Sequence, residues 1–274
     1  MAFTQNKGVR IHWEERGAGT PILLIMGHRY SSAMWYPALP ALSADHRLIW
    51  FDNRGAGETD SVTGFTVADM AADALAVMDA AGAPKAHVYG VSMGGGIAIE
   101  VAKLAPQRVV SLVLGCTGIL SADKPRMPAF VRLLYYLPAW ALKLLMRRSK
   151  EDDQGGYGRA AKPEDIARDQ AVLKQDKFVT RGVVAQAAAM AGYCNTHEAV
   201  AALTMPALVL HGDQDSVVPF AWGEELAATL PDARLVKLEG SGHNFLVAAP
   251  EKSNAAVLDF IGEVDRRALE PEPA

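Results

Sequence analysis

The sequence predicts an α/β protein whose sheet is doubly wound and mostly parallel. Continuous apolar runs such as Pro21–Ile25 and 48–51 are typical of strands that are covered on both faces. Predicted helices alternate with these runs, as in parallel strands joined by helical crossovers. These helices cover about 66–81, 93–104, 220–230 and 251–266. With 274 residues, half of them hydrophobic, the chain can bury one large core.

One serine lies where a strand is predicted to turn sharply into a helix. Ser92 occupies the pentapeptide Gly90-Val91-Ser92-Met93-Gly94, after the strand-like run 86–89 and before the helix-forming run 95–102. Such a turn strains the serine backbone and exposes its hydroxyl at the carboxyl edge of the sheet. Glycines two residues before and after keep a Cβ out of the crossing chain. A glycine-rich turn without chemistry is the alternative, since the pentapeptide alone arises easily by chance.

A serine hydroxyl needs a base, and the base needs an orienting acid. Both partners follow later in the chain, each just past a predicted strand: Asp215 after the run 206–210 and His243 after 234–238. The order serine, acid, histidine is the one used by strand-to-helix serine nucleophiles. The three side chains can meet only if their strands lie side by side and parallel, so the pattern favours a Ser-His-Asp triad.

Taken together, the motifs resemble the α/β-hydrolase superfamily along nearly the whole chain. They are Met26-Gly27, Phe51-Asp52-Asn53-Arg54-Gly55-Ala56-Gly57, Gly90-Val91-Ser92-Met93-Gly94-Gly95, His211-Gly212-Asp213-Gln214-Asp215 and Gly242-His243. The resemblance implies that Ser92 is the nucleophile and His243 the base. The family's His-Gly-x-x-Asp pattern assigns the acid to Asp215 and leaves Asp213 as a turn former.

The resemblance also implies an oxyanion hole made of two backbone amides. One is the N–H of Met93, because the residue after the nucleophile opens a helix. The other is the N–H of His28, in the loop Met26-Gly27-His28 that follows the run Pro21–Ile25. The family usually has histidine where Met26 stands, and this departure alters the hydrogen bonding inside the loop. The neighbouring side chains of Arg29 and Tyr30 are predicted to contact substrate.

A helical insertion is predicted where the alternation of strand and helix breaks, after the sixth strand. It matches the lid, or cap, of the family, and divides the chain into a core of residues 1–117 and 204–268, a cap of residues 118–203 and a disordered tail of residues 269–274. Residues 127–146 are rich in leucine and aromatic residues, so the cap is expected to give a mostly apolar pocket. Leu134, Tyr135 and Trp140 are the predicted substrate-binding residues of the cap.

Charge and composition exclude other classes of protein. A net charge of −4 gives no electrostatic reason to expect nucleic acid or an anionic membrane as a partner. Cys116 and Cys194 lack metal or disulfide spacing, and the N-terminus has no secretory signal, so we expect a cytoplasmic protein. No cofactor or metal motif is present in the sequence. The expected partner is a small-molecule substrate, and the expected state is a monomer or a small homo-oligomer.

The function predicted from these features is hydrolysis of a carboxylic ester of a largely apolar small molecule through an acyl-enzyme. The same site plan serves hydrolases of C–C bonds, lactonases and cofactor-free perhydrolases with haloperoxidase activity, so these stay open as alternatives. Some proteins with this fold are ligand receptors with little turnover. A complete triad argues against that reading.

Overall fold

The computed structural model describes residues 2–121, 154–177 and 179–269. Within these residues, eight strands form one sheet in the order β1-β2-β4-β3-β5-β6-β7-β8. The strands are β1 Ala2–Asn6, β2 Val9–Arg16, β3 Pro21–Ile25, β4 Arg47–Phe51, β5 Ala86–Val91, β6 Val109–Gly115, β7 Ala207–Gly212 and β8 Ala233–Leu238. The predicted substrate contacts Leu134, Tyr135 and Trp140 lie outside the described residues.

The sheet confirms the predicted fold class. Strand β2 runs antiparallel to its neighbours β1 and β4, and every pairing from β4 to β8 is parallel. Parallel strands direct their carboxyl ends to the same edge of a sheet. The loops after β3, β5, β7 and β8 therefore meet at that edge, which is where the predicted site residues lie.

The helices described by the structure agree with the sequence pattern. They are α1 Leu39–Leu42, α2 Val67–Ala80, α3 Met93–Leu104, α4 Gln154–Tyr157, α5 Pro163–Gln175, α6 Thr180–Gly192, α7 His197–Ala201, α8 Phe220–Thr229, α9 Phe245–Ala248 and α10 Pro250–Leu269. Helix α2 begins with a capping box in which the Thr66 and Asp69 side chains each bond the other residue's backbone amide. Helix α10 extends to Leu269, the first residue of the predicted tail.

Two apolar layers cover the two faces of the sheet. Successive side chains of a strand point to opposite faces, so in β3 the residues Leu23 and Ile25 join the layer under α2 and α3. Ile22 and Leu24 join the layer that includes Val257 of α10. Because both faces are covered, the central strands are continuous apolar runs, as the sequence indicated.

Helices α4 to α7 lie between β6 and β7, where the sequence predicted an insertion. We call the described residues 154–177 and 179–201 the inserted helices. Strand structure is absent from them, and they contact the loops at the carboxyl edge of the sheet. Among the described helices, none combines the length and the apolar character needed to cross a membrane.

A buried ion pair fixes the turn after β4 against α2. The Arg54 Nη2 group donates to Asp73 Oδ1 at 2.8 Å, and Arg54 Nε donates to Asp73 Oδ2. Asp73 also accepts a hydrogen bond from Asn6 Nδ2 at 2.8 Å. Both charged side chains are buried, so removal of either partner would leave an uncompensated charge in the core.

Replacing Asp73 by Ala should therefore lower the free energy of unfolding by about 3–5 kcal/mol. Asp79→Ala is the matched control, because Asp79 lies on the same helix but its ion pair with Arg108 is largely exposed; its loss should cost less than about 1 kcal/mol. Urea unfolding of the three proteins measures both differences. Equal losses in the two variants would contradict a special role for the buried pair.

Candidate active site

The turn at Ser92 has the strained backbone that the pentapeptide predicted. Ser92 has φ of 57° and ψ of −120°, a combination that L residues rarely adopt. A Cβ on Gly90 would overlap the Gly94 carbonyl, and one on Gly94 would overlap the Ile25 carbonyl. The amide of Ser92 donates to Gly115 O at 2.8 Å. Glycine is thus required on both sides of the turn, and the Ser92 side chain remains partly exposed.

The structure brings Ser92, His243 and Asp215 into one hydrogen-bonded chain. His243 Nε2 lies 2.9 Å from Ser92 Oγ, and His243 Nδ1 lies 2.8 Å from Asp215 Oδ2. An ionised carboxylate can only accept, so Nδ1 carries a proton and donates it to Asp215. In neutral imidazole the other nitrogen, Nε2, then accepts the hydrogen bond from the Ser92 hydroxyl.

The carboxylate of Asp215 is buried, and both of its oxygens are hydrogen-bonded. Its Oδ1 accepts hydrogen bonds from the amides of Val217 and Val218, both at 2.8 Å, and its side chain is shielded from solvent. Burial by itself raises the pKa of this carboxyl, but the bond and charge of His243 and the two amides outweigh it. The net effect is a pKa below the usual value for aspartate.

Other side chains close to Asp215 have different environments and contacts. Asp213 Oδ1 accepts the amide of Gly240 at 2.7 Å and so ties the loop after β7 to the loop after β8. Cys116 directly follows β6 and is buried, and burial raises the pKa of its thiol. A thiol with a raised pKa is a poor nucleophile.

The loop after β3 lies directly against the serine. A Cβ placed on Gly27 would stand 3.3 Å from Ser92 Cβ and 4.0 Å from Ser92 Oγ. Asn53 Nδ2 donates to the carbonyl of Met26 at 2.8 Å, while the Met26 side chain is buried in the core. The departure at Met26 is thus accommodated, because packing and a bond from Asn53 hold the loop.

Of the two amides predicted for the oxyanion hole, one directly follows the serine in the chain and the other is in the loop that lies against it. Met93 N is at the first position of α3, where a backbone amide has no partner within the helix. His28 N follows Gly27 in the loop after β3. Neither amide has a hydrogen-bond partner among the residues that the structure describes. Neither amide is thus used within these residues, and their pairing as an oxyanion hole stays a prediction.

The inserted helices hold this same loop through hydrogen bonds. His28 Nε2 bonds the carbonyl of Val183 at 2.9 Å, and burial lowers the pKa of the His28 imidazole. The amide of Arg29 donates to Gln186 Oε1 at 2.9 Å, and the amide of Ser31 donates to Asp176 Oδ2 at 3.1 Å. The His28 side chain is thus used for a structural bond to α6.

The predicted contacts Arg29 and Tyr30 stack on each other. The Arg29 guanidinium carbon lies 4.6 Å from the centre of the Tyr30 ring, and both residues are partly buried. A positively charged group over an aromatic face is a favourable contact. The role of this pair in substrate binding stays a prediction.

Sequence reasoning missed Gln186, which joins the loop after β3 to the insertion. It is fully buried in α6, and its Nε2 donates to the carbonyl of Arg54 at 2.8 Å. The signal was present in the sequence, because Gln186 is the one polar residue of the run 183–189. A polar side chain inside a small apolar helix stretch must find buried partners.

One cluster has the atom types of a metal site. The ligand-type atoms of Cys116, His211 and Asp215 lie within 4.8 Å of one another. However, His211 Nε2 bonds the carbonyl of Val218 at 2.9 Å, and Asp215 is bonded to His243 and two amides. A metal ion would have to displace these bonds, so the cluster is arranged as a hydrogen-bond network around the acid.

Comparison with known proteins identifies the family of the chain. The profile of the family described as "alpha/beta hydrolase fold" matches residues 20–250. A protein of Azorhizobium caulinodans named carbamate hydrolase RutD is 31% identical, over 97% of this chain and 100% of its own length. A protein of Mycobacterium tuberculosis named non-heme bromoperoxidase BpoC is 29% identical over 93% of this chain and 99% of its own.

A solved structure extends the comparison to three dimensions. The thermophilic esterase from Thermogutta terrifontis superimposes with a TM-score of 0.79 at 27% identity, covering 96% of this chain and 97% of its own. The chain therefore belongs to the α/β-hydrolase family and is a hydrolase. A catalytic triad and an oxyanion hole are typical of this fold.

The lowered pKa of Asp215 predicts how stability depends on pH. A carboxyl that is more acidic when folded stabilises the folded state above its unfolded pKa, about 3.9. This stabilisation is lost as the pH falls through the lower folded value. The free-energy difference between wild type and Asp215→Asn should thus shrink as the pH falls below about 4, as urea unfolding at each pH would measure. A difference that grows as the pH falls below about 4 would contradict the assignment.

Proposed function

We propose that this protein is a serine hydrolase that cleaves a carboxylic ester through an acyl-enzyme intermediate. The observation that carries the proposal is the chain of hydrogen bonds from Ser92 Oγ through His243 to Asp215, at 2.9 and 2.8 Å. Ester cleavage needs a nucleophile, a base within hydrogen-bond reach and a group that orients the base. The three side chains have the geometry for these roles.

In the proposed first step, Ser92 Oγ attacks the ester carbonyl carbon and its proton passes to His243 Nε2. The C–O bond to the alcohol then breaks, and His243 returns the proton to the departing alkoxide. Water repeats the sequence on the acyl-serine, with His243 again taking and returning the proton, and releases the acid. Asp215 keeps the Nδ1 proton in place and stabilises the imidazolium that forms in each half of the reaction.

The proposed oxyanion hole is made of the amides of His28 and Met93. Attack moves negative charge onto the carbonyl oxygen, and a prepositioned N–H donor stabilises that charge. Removal of one such donor typically lowers the rate by a factor of 10² to 10³. Both amides lack a partner among the described residues. The Met93 amide also lies at the amino end of α3, where the helix dipole favours negative charge.

The substrate we propose is a small, largely apolar ester, and residues 118–203 would act as the cap over it. The support is the sequence of residues 127–146, which is much richer in leucine and aromatic residues than in charge, together with the contacts of the inserted helices with the loop after β3. Arg29 and Tyr30 would be the polar part of the pocket. A carbamate is the second candidate, since a relative with 31% identity is named a carbamate hydrolase.

Activity and labelling of Ser92 test the proposal together. A fluorophosphonate probe should label the wild-type protein, and the protein should hydrolyse aryl esters. Ser92→Ala should lose the label and at least about 10³-fold of the turnover, because it removes the hydroxyl that lies within hydrogen-bond distance of His243 Nε2. Labelling and turnover that survive in Ser92→Ala would overturn the assignment of the nucleophile.

The same preparation separates ester cleavage from its alternatives. The experiment compares kcat/KM for five kinds of substrate: aryl esters, aryl carbamates, lactones, a ring-fission diketone, and a peracid-forming mixture of acetate and hydrogen peroxide. The proposal requires the ester to be the best substrate, and a larger kcat/KM for another class would replace it by that class. Labelling of Ser92 without turnover of any of them would favour the ligand-receptor alternative.

The acid is tested by two matched substitutions in one loop. Asp215→Asn should lower kcat by up to about 10⁴-fold, because an amide at this place favours the wrong tautomer of His243. Asp213→Asn keeps an oxygen for the amide of Gly240 and should cost less than about tenfold. Ester turnover of both variants, with folding checked by circular dichroism, measures the contrast. If Asp213→Asn proved the more damaging change, Asp215 would lose its role.

A further inference from the structure

Gln186 occupies an unusual position for a residue of the inserted helices. It is fully buried, and it bonds two backbone groups of the core: its Oε1 accepts the amide of Arg29, and its Nε2 donates to the carbonyl of Arg54. Arg29 directly follows His28, whose amide is one of the two proposed oxyanion donors. The Gln186 side chain therefore links the turn after β4 to the loop after β3, which carries the proposed oxyanion donor.

The backbone of that loop needs an external restraint. Arg29 has φ of 74°, in the left-handed region that residues other than glycine rarely adopt. Such a conformation persists only where surrounding contacts determine it. At the strained residue itself, the Arg29 amide donates a hydrogen bond to Gln186 Oε1. The His28 side chain adds a second bond to the same helix, through the carbonyl of Val183.

We propose that Gln186 is a positioning residue for the oxyanion hole. By holding the Arg29 amide, it fixes the peptide group between His28 and Arg29. This group is joined at the His28 Cα to the peptide group that carries the His28 N–H, so the bond restrains that donor and keeps it directed at the site beside Ser92 Oγ. The inserted helices then complete the catalytic apparatus as well as cover it. This inference rests on the proposed function, because it needs an oxyanion to form during the reaction.

The contribution should appear in the transition state more than in substrate binding. Small misplacements of a catalytic group can cost about 10²-fold in rate, and complete loss of an oxyanion donor costs 10² to 10³. The carbonyl oxygen of bound substrate gains much less from this donor than the oxyanion does. Loosening the loop is therefore expected to lower kcat while it leaves KM nearly unchanged.

The test replaces Gln186 by Met, which keeps the length of the side chain and removes both hydrogen bonds. We expect kcat and the rate of fluorophosphonate labelling to fall about 10–100-fold, with KM within about threefold of wild type. The inhibition constant of an aryl trifluoromethyl ketone, which forms a tetrahedral oxyanion on the serine, should rise by the same factor as kcat/KM falls. Gln186→Glu retains an oxygen for the Arg29 amide and should recover part of the loss.

Two controls separate positioning from general loosening of the inserted helices. Gln170→Met makes the same chemical change on the exposed face of α5 and should leave all four quantities unchanged. Asn195→Ala removes a different buried hydrogen bond, which joins the inserted helices to the segment that follows β6: the bond from the Leu120 amide to Asn195 Oδ1. If it slowed labelling as much as Gln186→Met does, the effect would not be specific to the loop after β3.

The outcomes distinguish this inference from the proposed function. If wild type is labelled at Ser92 and cleaves esters, but Gln186→Met has the same kcat and labelling rate as Gln170→Met, the inference fails and the proposed function stands. If wild type is labelled but prefers another substrate class, the labelling rates still test Gln186. Absence of labelling in wild type would overturn both proposals. If Gln186→Met fails to fold, Gln186→Ala removes the same two bonds and is measured in the same way, with the same expected 10–100-fold fall.

Discussion

The backbone of Ser92 has to hold a conformation that costs of order 1–3 kcal/mol, and the rest of the site depends on its being held. The sheet supports it from one side, through the bond from the Ser92 amide to Gly115 O of β6. Helix α3 supports it from the other, since the Gly95 amide bonds the Ser92 carbonyl at 2.9 Å. These bonds direct the hydroxyl to His243 and leave the Met93 amide beside it. The strain is thus balanced by regular elements that belong to the core.

The negative charge of Asp215 imposes the second constraint. A buried carboxylate is tolerated only when its oxygens are bonded, and here the amides of Val217 and Val218 and the ring of His243 supply the donors. The loop that carries Asp215 is tied to the loop that carries His243, because Asp213 bonds the Gly240 amide and a Cβ on Gly212 would overlap the Ser241 carbonyl. Asp215 and His243 are therefore positioned as one unit.

Much of this arrangement could be predicted from the sequence because it depends on local signals. Apolar runs such as Pro21–Ile25 indicate parallel strands, and the glycines around Ser92 indicate the turn, so the meeting of the loops at one edge follows from topology. The link through Gln186 could not be predicted in the same way. Its partners, Arg29 and Arg54, are 157 and 132 residues away in the chain, and no spacing rule relates a helix residue to distant backbone groups.

The loop after β3 shows how a local departure from a family pattern is accommodated by longer-range contacts. The family resemblance predicts histidine at the position of Met26, and a methionine side chain cannot form the hydrogen bonds of an imidazole. The loop is instead held from outside, by Asn53 at the carbonyl of Met26 and by Gln186 at the amide of Arg29. One of these residues belongs to the core and the other to the inserted helices. Under the proposed mechanism, the position of the His28 amide depends on how closely the inserted helices dock. We therefore expect substitutions in these helices to change the rate of the chemical step without contacting the substrate.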